Sequence, residues 1–172
     1  MEHNKKSDDL QFSFSYMALG LLGKNLYSNA WAALSELVAN SLDAGSTEVY
    51  IAIDMRKKGN SVIEVYDNGE GMSYDNLKEN YIKIGRNRRL NQKNSESVMG
   101  RKGIGKLAAL YLSNHYYVAT KQKDTELLVY EMEFPNSELE NDTQNPQMSS
   151  SSFDAFNNRE FLQYESGTMI RM

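Results

Sequence analysis

Hydrophobic and polar positions along the chain follow two alternating rhythms. From about Asn29 to Ala44 the spacing is helical: at about 100° per residue, Ala30, Trp31, Leu34, Leu37, Val38 and Leu42 gather on one broad face. Glu36, Asn40 and Asp43 stack within about 60° on the opposite side, and Gly45 stands where such a helix should stop. A period of two then takes over. Val49, Ile51 and Ile53 alternate in "TEVYIAIDM" (47–55), "RKKGN" (56–60) turns the chain, and "SVIEVYD" (61–67) returns as the second strand of a hairpin.

Elsewhere the same rules predict further elements. In "LQFSFSYMALGLLG" (10–23), Phe12, Phe14 and Tyr16 alternate before Gly20 and Gly23, which suggests a short strand leading into a turn or a helix. "SYDNLKENYIKI" (73–84) reads as a helix capped by Ser73, residues 85–103 as a mobile basic loop, and "IGKLAALYLSN" (104–114) as a helix. "HYYVATKQ" and "ELLVYEMEF" form a second hairpin around Lys123 and Asp124. The Asn- and Ser-rich stretch 136–160 predicts a surface excursion with partial disorder, and "SGTMIRM" ends the chain on a short apolar segment. The expected organisation is a flexible tail over 1–9 and one domain over 10–172, cut from a larger protein.

Composition narrows the chemistry. Of 172 residues, 40% are hydrophobic and 24% charged, which is the balance of a globular domain, and the net charge of −4 gives no global attraction to nucleic acid. Cysteine is absent, which excludes disulfide scaffolds, zinc ribbons and thiol catalysis; two histidines, His3 and His115, argue against a multi-histidine metal site. No apolar run approaches the roughly 20 residues that span a bilayer, and the polar start is not a signal peptide. The expectation is a cytoplasmic protein with no membrane contact.

Three stretches carry candidate chemistry. The column Glu36, Asn40 and Asp43 is either a solvated face or one wall of a cleft holding a metal–phosphate group. Magnesium takes oxygen ligands and keeps several waters, so one amide oxygen plus phosphates can suffice, and a carboxylate one turn away could deprotonate a water. "DNGEGM" (67–72) is either a plain tight turn or a recognition element. In the second case Asp67 accepts from an exocyclic amine, Gly69 and Gly71 admit a flat ring, and Met72 touches it. "GRKGIGK" comprises Gly100, Arg101, Lys102, Gly103, Ile104, Gly105 and Lys106; a glycine loop opening a helix offers N–H groups and two lysines to phosphates. Its spacing is not that of a Walker A loop.

In this order the motifs resemble those of the GHKL, or Bergerat-fold, ATPase superfamily, on the side of MutL, MORC and the heat-shock chaperones. "ELVANSLDAG" looks like its N box, "DNGEGM" its first glycine box, "GRKGIGK" its lid box and "SGTMI" its last box. The resemblance implies an α+β fold: a two-layer sandwich with a mixed, mostly antiparallel sheet and helices on one face. It further implies that Glu36 activates water and that Asn40 holds Mg2+ against the phosphates of ATP. Asp43 would support that site, with Ala44 beside the base. Asp67 would bind the adenine amine, directly and through a water shared with Gly71 and Thr168, while residues 100–106 close over the phosphates. Implied behaviour is slow hydrolysis to ADP and ATP-dependent homodimerisation within a larger chaperone-, DNA-repair- or defence-type machine, which could meet nucleic acid through other domains. The chain departs from the family at "IGRNRR" (84–89), where Arg86 and Asn87 replace small hydroxyl residues and Arg88 or Arg89 stands in for a lysine. A histidine-kinase-type phosphotransferase and a non-catalytic nucleotide-binding module are the alternatives. The first lacks a histidine on a predicted helix.

Overall fold

The computed structural model describes residues 14–56, 61–84, 105–152 and 159–172. Helix α1 spans Tyr16–Leu26 and opens on Ser15, whose hydroxyl accepts from the amide of Ala18 at 3.3 Å. The alternation ending at Tyr16 is therefore no strand within the described residues, because Tyr16 is already helical. Gly20 and Gly23 do not break the chain; both are buried on the inner face of α1, where Gly20 packs beneath the Phe134 ring. Tyr16 meets the same ring edge-on at 5.2 Å.

Helix α2 (Ala30–Asp43) is capped by Asn29, whose side chain accepts from the amide of Ala32 at 3.0 Å. Its buried residues are Ala33, Leu34, Leu37 and Ser41, while Trp31 and Leu42 are 73% and 44% exposed. The buried stripe is thus rolled by about 55° from the centre of the apolar arc toward the polar column. Small residues at 33 and 41 permit this close seating. The roll turns Asn40 and Asp43 inward.

Strands β1 (Val49–Asp54) and β2 (Val62–Asp67) form the expected hairpin, with Ile51 opposite Val65. After Ser73, α3 (Tyr74–Asn76) passes into a π-helical turn over Leu77–Tyr81, shorter than the predicted helix. A 3-10 turn, Gly105–Leu107, leads into α4 (Ala108–Leu112). Strands β3 (His115–Lys121) and β4 (Leu128–Glu133) are the second hairpin. The predicted surface excursion is more ordered than expected up to residue 152. It contains α5 (Glu138–Thr143), capped by Ser137, and β5 (Ser149–Ser150), which pairs with β4. It is tied down where the amide of Gln147 donates to the Tyr16 hydroxyl at 3.1 Å. Helix α6 (Arg159–Gln163) and strand β6 (Gly167–Arg171) follow. The basic loop and Ile104 lie outside the described residues, as do the first turn's 57–60 and residues 153–158.

The six strands lie in the order β1-β2-β6-β3-β4-β5, and every neighbouring pair is antiparallel. Register places Val65, Ile170 and Val118 abreast on one face. There they pack with Tyr16, Leu34, Leu37, Leu107 and Leu110 in the main core. One residue along, Tyr66, Met169 and Ala119 point to the other face, as the two-residue period requires. That second face is covered in part by α6, whose Phe161 is fully buried against them. The α+β, two-layer arrangement is as expected, with α6 added beneath the sheet. No helix among the described residues is long and apolar enough to cross a membrane.

Candidate functional site

A cavity of about 450 Å3 opens between α2, the end of β2 and the start of β6. That is a small-ligand volume. Asn40, Asp43 and Ala44 line it from α2 and its C-cap, Asp67 from β2, Gly71 and Met72 from the loop after β2, and Lys106 and Thr168 from the remaining sides. Eight residues singled out in the sequence thus share one hollow although they are scattered over more than a hundred positions.

Asp67 is its most constrained group. It is 3% exposed. Oδ2 accepts from the Ser41 hydroxyl at 2.7 Å, and Oδ1 accepts from the amides of Gly69 at 2.9 Å and Thr168 at 3.3 Å. Burial pushes its carboxyl above the usual carboxylate range, while these three hydrogen bonds pull the other way. An ionised carboxylate offers about four acceptor positions. Three are satisfied by the protein itself, and the residue lines the cavity.

The loop after β2 is held by several fixed contacts. Asn68 Oδ1 accepts from the amides of Thr47 and Glu48 at 2.9 and 3.0 Å, binding the loop to the entry of β1. Gly71 has φ +65°, and a Cβ there would overlap the main-chain carbonyl of Lys121. Thr120, fully buried, accepts from the Met72 amide at 2.8 Å and donates to the Gly167 carbonyl at 3.1 Å. It also lies directly across from Thr168, hydroxyl to hydroxyl at 3.0 Å.

Among the described residues, the expected Glu36, Gly69 and Gly105 do not line this hollow. The Glu36 carboxylate lies against Gly105 instead. Lys106 lines the cavity, but its ammonium donates to the carbonyls of Asn80 at 2.7 Å and Lys83 at 2.5 Å. It closes the end of the π-helical turn in this conformation. Gly100, Arg101, Lys102, Gly103 and Ile104 lie outside the described residues.

Sequence reasoning missed several lining or supporting residues. Asn76, Asn80 and Tyr81 face the cavity from α3 and the π-helical turn. Asn80 donates to Asn76 Oδ1 at 2.7 Å. Burial drives the Tyr81 phenol well above its ordinary value, and its buried neighbour Tyr116 is pushed up to about 12. Ser41 and Thr120 were also missed. The available signal for Ser41 was a polar residue on the buried stripe of an amphipathic helix, which needs a partner.

No cluster of three or more His, Asp or Glu suited to a metal occurs among the described residues. Asn40 and Asp43 offer an amide oxygen and a carboxylate to the cavity, oxygen donors of the kind a hard cation takes alongside water or phosphate.

The chain is 40% identical over 107 residues to "Putative type II restriction enzyme HgiDII" of Herpetosiphon aurantiacus, a stretch covering 60% of this chain and 17% of that one. It is 49% identical over 47 residues to the DNA mismatch repair protein MutL of Thermosipho africanus (strain TCF52B), covering 27% of this chain and 8% of the relative. MutL of Shewanella sediminis (strain HAW-EB3) is 48% identical over 46 residues, covering 27% and 7%. The chain thus spans less than a fifth of the length of each of these curated relatives. A family match over residues 27–168 embraces the column on α2, the loop after β2 and the start of β6, and on that ground the chain belongs to the histidine kinase-, DNA gyrase B- and HSP90-like ATPases.

Proposed function

We propose that this domain binds ATP with Mg2+ in the cavity and hydrolyses it slowly, as the nucleotide-driven switch of a larger protein that acts on DNA. The observation that carries the reading is Asp67: a buried carboxylate that lines the cavity and has three of its about four acceptor positions filled by its own chain. That arrangement selects a donor such as the exocyclic amine of adenine. Thr168 and Gly71 flank it, and Met72 supplies an apolar contact to the ring. Asn40 and Asp43 lie on the same wall and would hold magnesium through the amide oxygen of Asn40. The ion would neutralise phosphate charge as it develops.

Glu36 stands one helical turn before Asn40 and is the base in this reading. It takes the proton of a water attacking the terminal phosphorus while the bond to the ADP oxygen breaks. Its position outside the cavity favours slow turnover. ATP binding would favour a homodimer, for which the exposed side chains of Trp31, Met17 and Leu21 offer apolar surface. The names of the relatives, a restriction enzyme and two mismatch repair proteins, favour a DNA-acting machine over a chaperone.

The test is calorimetric titration with ATP and magnesium alongside phosphate release, for the wild type and Glu36→Ala. The variant is expected to keep its affinity and lose turnover. Absence of ATP binding by the wild type would refute the reading, and ATP affinity without phosphate release by the full-length protein would reduce it to a binding module.

A further inference from the structure

We infer that Gly105 is a positioning residue for Glu36: the missing side chain at 105 is the space in which the Glu36 carboxylate rests. The inference rests on the reading of Glu36 as the base. A Cβ built on Gly105 would lie 2.9 Å from Cγ and 3.0 Å from Cδ of Glu36, with Oε1 nearer still. Real Cβ atoms do not sustain such contacts, so the carboxylate and a side chain at 105 exclude one another.

Conformation does not explain this glycine. Gly71 adopts φ +65°, whereas Gly105 opens the right-handed 3-10 turn Gly105–Leu107, a conformation L-residues adopt. Space is what the position supplies. The turn bearing Gly105 cannot easily retreat either, because Leu107, Ala108 and Ala109 immediately after it are 3%, 0% and 0% exposed. The group that can move is the Glu36 carboxylate, the far end of a flexible side chain. The charge of Glu36 is also felt by the Tyr27 phenol, which is pushed up to about 12, first by burial and then by that charge.

A methyl at 105 is therefore expected to leave the fold intact and to shift the carboxylate by on the order of an ångström. Misplacement of that size at a reacting centre costs up to about a hundredfold in rate. For Gly105→Ala we expect an unchanged unfolding midpoint and turnover at saturating ATP lower by about ten- to a hundredfold. The discriminating measurement is the double-mutant cycle with Glu36→Asp. Aspartate draws the carboxylate back by one methylene, so adding Gly105→Ala in that background should cost little further turnover. Equal loss in both backgrounds would show that Gly105 acts on the fold and not through Glu36, and unchanged turnover of the single variant would also overturn the proposal.

Failure of the wild type to bind or hydrolyse ATP would count against the preceding reading and not against this contact. In that event the structure of Gly105→Ala decides the matter. A displaced Glu36 carboxylate supports the exclusion, and an unmoved one refutes it.

Discussion

The hydroxyl of Ser41 donates to Oδ2 of Asp67 at 2.7 Å, joining the buried side of α2 to the end of β2 across the floor of the cavity. This bond does two things. It ties a helix to the sheet, and it stabilises charge on a carboxylate that burial opposes. Removing it by Ser41→Ala should destabilise the fold by about 1.5–3 kcal/mol, the range for a hydrogen bond to a charged group. It should also raise the Asp67 pKa further. Urea unfolding measures the first effect, and the pH profile of nucleotide affinity, moved toward alkaline, measures the second.

Asp67→Asn keeps the shape of the site but puts an amide N–H2 where Oδ2 was, facing an incoming amine donor to donor. Nucleotide affinity should fall by about 2–3 kcal/mol, roughly thirty- to more than a hundredfold. Stability at neutral pH should not fall, since the variant no longer buries a charge. Loss of affinity together with loss of fold would contradict this.

The raised pKa of Asp67 sets two pH trends of opposite sign. The folded state holds the proton more tightly than the unfolded state, so Asp67's contribution to stability is fully present below its ordinary value of 3.8 and is lost as pH climbs through the elevated folded value. Affinity for an amine donor should rise over the same interval as the carboxylate ionises. Parallel denaturation and binding curves from pH 4 upward test both, and a common direction would refute the assignment.

Gly71→Ala should destabilise by more than about 2 kcal/mol, because it adds strain at positive φ to an overlap with the Lys121 carbonyl. The thermal midpoint should drop accordingly. Compare Phe161→Ala, which empties the fully buried anchor of α6 on the opposite face. About 3–5 kcal/mol should be lost there, while nucleotide affinity at a temperature where the variant stays folded should be unchanged.

Much of this was legible from local pattern. The hairpins followed from alternation, α2 from its helical period, and the loop after β2 from its glycines, since each depends on neighbours in sequence. What escaped depends on neighbours in space. Trp31 and Leu42 belong to the apolar arc of α2 yet are exposed, because Ala33 and Ser41 let the helix roll onto the sheet. Phe161 sits in a polar stretch, and nothing local announces that Tyr66 and Met169 wait for it on the far face. Asn76 and Asn80 reach the cavity only because the chain after β2 folds back over it. Helical spacing puts Glu36 on the same side of α2 as Asn40, but its rest against Gly105 spans 69 positions and carries no sequence signature.

The strand order has a consequence for biosynthesis. β6 follows the other described strands in sequence, yet it lies between β2 and β3 and joins the two hairpins. While the polypeptide is still emerging from the ribosome, the hairpins have no edge in common and the floor beneath Asp67 lacks Thr168. Only when residues 167–171 clear the exit tunnel can the halves close around them, so this domain should gain ligand competence in a single step that waits for its own closing strand.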